Sequence, residues 1–276
     1  MSEAILKIEQ LCVSFDGFPV LDNLDLVVAR GELRFLIGPN GAGKTTLMDV
    51  ISGKVRARSG RVLFDPSVPA SGDPHPATIE IHGEIRFEGL ELSRMREDAI
   101  ARAGIARKFQ TPSVFNSLSV TENVAVAASC RDRFFLQLMP PRAGRRERVR
   151  DALAQVGLLE RADVTAGALS HGERQWLEIA MLLVQSPRIM LLDEPVAGMT
   201  KQERERTGEL LHRLAGAHTI IITEHDMDFV RQFARTVTVL HMGRVLREGP
   251  IDEIQRDPAV REVYLGRQKL PAGDAQ

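Results

Sequence analysis

An α/β fold carrying a phosphate-binding loop is what this chain predicts, on three observations. Leu33-Arg34-Phe35-Leu36-Ile37, Ile189-Met190-Leu191-Leu192 and Thr219-Ile220-Ile221-Ile222-Thr223 are short, mostly apolar runs of the kind that form buried strands. The first runs straight into Gly38-Pro39-Asn40-Gly41-Ala42-Gly43-Lys44-Thr45, which fits G-x-x-x-x-G-K-[ST]. After it, Thr46-Leu47-Met48-Asp49-Val50-Ile51-Ser52 carries apolar residues at helical spacing, and Gly53 stands where a helix would stop.

Strand, glycine loop and helix start together make an anion trap. Backbone N–H groups point inward around the phosphates, and the helix N-terminus adds partial positive charge. Glycine lets the backbone approach without a Cβ in the way. Lys44 would reach the β- and γ-phosphates, and the Thr45 hydroxyl would hold Mg²⁺. The segment therefore predicts a nucleoside triphosphate ligand.

The bulk composition is that of a soluble globular protein: 276 residues, 43% hydrophobic and 26% charged. The net charge of −1 gives no electrostatic reason to coat nucleic acid or an anionic membrane. No apolar run approaches the roughly 18 residues needed to span a bilayer. The N-terminus lacks a signal-peptide pattern, so any link to a membrane is expected to come through a partner. Cys12 and Cys130 lie far apart and read as reduced thiols.

Residues 4–13 and 20–28 read as strands, with a turn at Gly17, and Arg61-Val62-Leu63-Phe64 as another. Residues 65–83 are rich in proline and serine, which predicts a solvated surface loop; a docking element for a partner is the competing reading. Gly60-Arg61-Val62-Leu63-Phe64 and Gly83-Glu84-Ile85-Arg86-Phe87, on either side, nearly repeat one another. Residues 92–183 read as mostly helical. The arginines of residues 142–150 fit a solvated helix face. Thr200 and Glu203 fit a capping box for a helix to about Leu214. Residues 236–240 and 244–247 read as a hairpin around Met242-Gly243.

Further elements narrow the phosphate-loop reading. Asp193-Glu194 ends an apolar strand, where an Asp can reach Mg²⁺ through water and a Glu can polarise an attacking water. Leu169-Ser170-His171-Gly172-Glu173-Arg174-Gln175 opens an amphipathic helix with capping-box spacing, which reads either as a well-capped helix alone or as a second anion site. Gln110 lies in Arg107-Lys108-Phe109-Gln110-Thr111-Pro112, and His225 directly follows the Thr219–Thr223 strand and Glu224. Phe15 precedes Asp16-Gly17.

Taken in their order along the chain, these segments resemble the ATP-binding cassette (ABC) ATPases over nearly the whole chain. Residues 169–175 are similar to the L-S-G-G-Q signature, Gln110 to the Q-loop, His225 to the switch histidine, and Phe15 to the aromatic that stacks on adenine. The resemblance implies a RecA-like P-loop NTPase core with an antiparallel β subdomain, at about 1–90 and 186–276, and a helical signature subdomain at about 91–185. The whole, 1–276, would be one domain, interrupted by the insertion at about 65–83.

The resemblance also implies a site. Two cassettes, either two copies or this chain and a sister subunit, would enclose two MgATP molecules. Phe15 would stack on adenine, and Gly38, Pro39, Asn40, Gly41, Ala42, Gly43, Lys44, Thr45 and Thr46 would hold the triphosphate. Thr45, Gln110 and Asp193 would serve Mg²⁺. Glu194 would act as general base, with His225, Lys44 and Gln110 assisting, while Ser170 and Gly172 complete the opposite site. Transmembrane permease subunits would take up the motion on the inner face of the cell membrane, a solute-binding protein would act indirectly, and no nucleic acid is expected.

Two departures stand out: the signature has His171 where Gly is usual and Glu173 where Gln often sits, and Val196-Ala197-Gly198-Met199 lacks the Asp of the usual S-A-L-D loop. Glu194-Pro195-Val196-Ala197-Gly198-Met199 resembles the branched-chain amino-acid importer branch. Leu169-Ser170-His171-Gly172, Gln175-Trp176-Leu177-Glu178-Ile179, Val13-Ser14-Phe15-Asp16-Gly17-Phe18 and residues 107–112 resemble its urea-type members more closely. The expected solute is urea or a short amide, with branched-chain amino acids as the alternative. A soluble ABC ATPase acting on a ribosome or nucleic acid is a more distant reading, as is a cassette that has lost catalysis.

Overall fold

The computed structural model describes residues 3–66, 78–81, 84–87, 89–108, 114–129 and 143–265. Strands β1 (Ala4–Phe15) and β2 (Phe18–Ala29) form a long antiparallel hairpin. Asp16 and Gly17, at φ 49° and 86°, make its two-residue turn. Positive φ at both central residues matches the twist of the flanking strands. β3 (Leu33–Ile37) then leads through the glycine loop into α1 (Lys44–Ile51). β4 (Ser59–Phe64) returns to pair with β1.

Part of the proline-rich insertion differs from the loop reading. Thr78–Ile81 (β5) pairs antiparallel with Glu84–Phe87 (β6). Thr78-Ile79-Glu80-Ile81 is β-branched at three of four positions, a local strand preference that proline and serine upstream had diluted. Residues 67–77 and 82–83 of the insertion lie outside the described residues. β7 (Leu90–Glu91) joins β4, which gives a sheet of order β2-β1-β4-β7.

After α2 (Glu97–Ala103) comes β8 (Ile105–Lys108), a strand inside the span read as mostly helical. The helical lobe follows: α3 (Val120–Ser129), α4 (Ala143–Val156) and α5 (His171–Leu183). In α4, Arg146, Arg148 and Arg150 are exposed, as expected of a solvated face. The chain then alternates β9 (Ile189–Asp193), α6 (Lys201–Leu214), β10 (Thr219–Thr223) and α7 (Met227–Phe233). It closes with the hairpin of β11 (Thr236–His241) and β12 (Arg244–Pro250), then α8 (Ile251–Arg256) and α9 (Pro258–Leu265).

The central sheet has the order β12-β11-β3-β10-β9-β8, with β11, β3, β10, β9 and β8 parallel. Strand alternation sends its side chains to two separate cores. Leu33, Phe35, Ile37, Met190, Leu192, Ile220 and Ile222 pack with the helical lobe. Leu36, Leu191 and Ile221 pack with α1 and the β1–β2 hairpin. This two-sided burial is why these strands read as continuous apolar runs.

Arg34 breaks the run in β3 yet is buried. Its guanidinium meets Glu32 Oε1 at 2.6 Å, Glu248 Oε2 at 2.6 Å and Thr238 Oγ1 at 2.9 Å, and donates to Val27 O at 3.1 Å. A buried cation is tolerated when its donors are satisfied in this way.

Candidate nucleotide-binding and hydrolysis site

Register brings the candidate residues to one edge. Thr223 of β10 lies opposite Leu36 of β3 on one side and Asp193 of β9 on the other. The segments that leave these three strands therefore emerge side by side: the glycine loop, Glu224-His225 and Glu194. Ligands of open α/β sheets bind at this carboxyl edge of the strands.

Gly43 caps α1 at φ 101°. A Cβ there would stand 2.6 Å from Leu21 Cδ2 and 3.0 Å from Val20 O, so only glycine lets the loop lie against β2. Gly243 ties the loop to β2 as well: its N–H donates to Ala42 O (3.1 Å), and the Asp22 N–H donates to its carbonyl (3.0 Å). Lys44 is half-buried, and its Nζ donates to Gly38 O (2.6 Å) and Pro39 O (3.1 Å). Burial pulls its pKa below the usual lysine value, against the opposing pull of Glu194 and Asp193. Ala42 is buried, Pro39 and Thr46 half-buried, and Asn40, Gly41 and Thr45 exposed.

Asp193 is 4% exposed. The Thr223 hydroxyl donates to its Oδ1. Its Oδ2 is buried with no hydrogen-bond partner among the described residues, and the Arg107 guanidinium stands 3.8 Å away. Buried polar atoms are normally satisfied, so this oxygen fits a place in the hydration shell of Mg²⁺. Arg107 itself reaches back to Asp49 of α1 and donates to Ser52 Oγ at 3.1 Å.

Glu194 sits at φ 47°, a left-handed conformation unusual for a residue with a side chain. The bonds on either side impose it: the Glu194 N–H donates to Thr223 O (3.0 Å), and the Ala197 N–H donates to Glu194 O (3.2 Å). The side chain is 39% exposed, and its Oε1 lies 3.4 Å from Nδ1 of His225, which is 62% exposed. Carboxylate and imidazole thus face water together. Behind them Glu224 is buried, accepting from the Val196 N–H (3.4 Å) and the His225 N–H (3.2 Å). Burial pushes its pKa up to about 7.

Phe15 is exposed beside the hairpin turn, and residues 20–21 of the paired strand touch the glycine loop. The signature residues are tied elsewhere. Ser170 caps α5, its Oγ accepting from the Glu173 N–H (3.1 Å) while Glu173 Oε2 accepts from the Ser170 N–H (2.9 Å). The Ser170 hydroxyl also donates to Glu203 Oε1 of α6 at 3.4 Å, and Gly172 is buried against that same Glu203. Gln110, Thr111, Pro112 and Cys130 lie outside the described residues. Sequence reasoning missed Thr223, Glu224 and Arg107 as parts of this site. Glu224 alone had a signal, its place between a buried strand and His225.

A family profile described as "ABC transporter" matches residues 21–197, and one described as "Branched-chain amino acid ATP-binding cassette transporter" matches residues 244–269. The chain is 33% identical over 276 residues to the high-affinity branched-chain amino acid transport ATP-binding protein LivG of Escherichia coli K12, covering 96% of this chain and 99% of that one. It is 31% identical over 277 residues to the corresponding BraF of Pseudomonas aeruginosa, with the same coverage. An ATP-binding cassette of an ABC transporter, solved in its ADP conformation, superposes with a TM-score of 0.80 at 28% identity, covering 96% of this chain and all 100% of that one. Fold, site geometry and relatives agree: the chain belongs to the ABC transporter family, as an ATP-binding subunit that hydrolyses ATP to power transport.

Proposed function

We propose that this chain drives an importer of the branched-chain amino-acid class, as one of two cassettes bound to transmembrane permease subunits on the inner face of the membrane. The observation that carries this reading is the end-to-end match to cassettes named for branched-chain amino-acid transport. A second reading, urea or a short amide as solute, rests on the residues 13–18, 107–112, 169–172 and 175–179, which resemble the urea-type members. The chain is taken as one domain, with the helical lobe transmitting motion to the permease. Among the described residues no helix is long and apolar enough to cross a membrane.

In this reading the Phe15 ring stacks on adenine, and the loop from Gly38 to Thr46 encloses the triphosphate. The Lys44 ammonium exchanges its loop carbonyls for phosphate oxygens. Mg²⁺, when bound, neutralises phosphate charge, and Thr45, Gln110 and Asp193 would hold it. Glu194 accepts a hydrogen bond, then the proton, from the water aimed at the γ-phosphate. His225, 3.4 Å from that carboxylate, orients water and phosphate. Ser170 and Gly172 serve the phosphate bound by the partner cassette. Positioning and charge stabilisation supply most of the rate in phosphoryl transfer.

The test is uptake of labelled leucine and labelled urea in cells whose only copy is this chain or its Glu194→Gln form. Loss of leucine uptake alone supports the leading reading, and loss of urea uptake alone supports the second. No change in either would remove both solutes.

A further inference from the structure

His171 stands where the family signature has glycine, between Ser170 and Gly172. It is the first helical residue of α5 and its side chain is exposed. The ring nevertheless has a partner on another segment: Nε2 lies 2.9 Å from Ala197 O. A carbonyl oxygen only accepts, so Nε2 carries the proton and donates. The ring lies close over the backbone there, since a Cβ on Gly198 would come within 3.2 Å of Nε2.

Ala197 belongs to the loop that leaves Glu194. That loop is pinned at three places. The Glu194 N–H holds Thr223 O, the Val196 N–H holds the buried Glu224, and Ala197 O accepts from His171. Its sequence, Val196-Ala197-Gly198-Met199, lacks the Asp with which the family's loop is equipped. The tie from signature to loop is instead made within the chain, by a side chain the usual signature does not have.

We propose that His171 is a positioning residue that locks the signature helix to the loop bearing Glu194, so that the two ATP sites one chain serves respond to each other. The proposal rests on the two-cassette reading above. There Ser170 and Gly172 act at the partner's ATP, while Glu194 acts at the chain's own. Engagement of the signature would then be felt at Glu194 through one hydrogen bond and the short turn from Ala197 N–H to Glu194 O.

The experiment compares wild type, His171→Leu and His171→Gln. Leu removes the donor on the exposed helix position; Gln offers an amide N–H in its place. Steady-state ATPase is measured against ATP concentration on the full chain. In the Glu194→Gln background, ATP-dependent dimerisation is followed by light scattering. His171→Leu should lower kcat about three- to ten-fold, the worth of one exposed hydrogen bond. Its Hill coefficient should fall toward 1, the value for independent sites. ATP-dependent dimerisation should be unchanged, because Ser170 and Gly172 remain. His171→Gln should recover at least part of both kcat and cooperativity.

Wild-type cooperativity and kcat in His171→Leu would overturn the proposal. So would loss of dimerisation in that variant, which would make His171 a phosphate contact, and so would a Gln variant as impaired as Leu. If Glu194→Gln forms no dimer with ATP, neither with itself nor with a sister cassette, the two-cassette reading itself fails and the proposal falls with it. That result is distinct from a normal dimer whose hydrolysis ignores His171.

Discussion

Glu194 offers a test in which stability and activity report on two separate features, its backbone and its carboxylate. Its φ of 47° is held by hydrogen bonds on both sides, so a replacement must adopt it too. A residue with a Cβ loses about 1–2 kcal/mol in the left-handed region. At an ordinary position alanine is more stabilising than glycine by about 0.4–1 kcal/mol, through the unfolded chain. At position 194 the first effect wins. Glu194→Gly should therefore be more stable than Glu194→Ala by roughly 0.5–1 kcal/mol, or about 2 °C in Tm for a chain of this size. Both variants lack the carboxylate, and both should lose about 10²- to 10⁴-fold in ATP turnover, the usual contribution of a general base. Urea denaturation of the two variants gives the first quantity, and phosphate release at saturating ATP gives the second. An alanine variant as stable as the glycine variant would refute the left-handed loop. Turnover within tenfold of wild type would refute the base.

Three further outcomes follow from the same geometry. Lys44→Ala removes a charged donor from the glycine loop and should weaken ATP binding about 10- to 100-fold, measurable by titration with a fluorescent nucleotide; unchanged affinity would contradict the phosphate-loop assignment. Arg34→Met removes the buried guanidinium that meets Glu32, Glu248 and Thr238, leaving Glu32 only the Ala29 N–H, and should destabilise the fold by about 3 kcal/mol in urea denaturation, while a loss below about 1 kcal/mol would show the network to be dispensable. Glu224 is an acid whose folded pKa, about 7, lies above its ordinary value of 4.5, so the native state binds the extra proton between those limits. Its contribution to stability is best below about pH 4.5 and is lost as pH rises through 7, by up to roughly 3 kcal/mol. Glu224→Gln should accordingly be more stable than wild type above pH 7, with the difference shrinking as pH falls; a pH-independent difference would count against a buried, titrating carboxyl.

Much of the site could be read in the sequence because its parts are continuous with strands whose apolar runs mark them. Gly38 to Thr45, Asp193-Glu194 and Glu224-His225 each begin where a buried run ends, and register alone brings them to one edge. The capping boxes at Ser170 and Thr200 were likewise legible, being local in sequence. β8 was not: Ile105-Ala106-Arg107-Lys108 ends in two cations, which hid a strand signal. Both are buried because Arg107 meets Asp49 and Lys108 meets Glu178 at 3.3 Å. Thr223 was counted only as the end of an apolar run, although its hydroxyl serves Asp193, 30 residues earlier. His171 was noticed only as a departure from the signature, and its partner Ala197 lies 26 residues on. These omissions have one physical cause. Periodicity tells which face of an element a side chain occupies, and it carries no information about the partner waiting there. A buried or directed polar group is defined by that partner, and here each partner comes from another strand or loop. The solute is hidden for a related reason: the motifs of this chain concern ATP, and in the proposed reading the solute meets partner chains, so urea and leucine are separated by uptake and not by the cassette's residues.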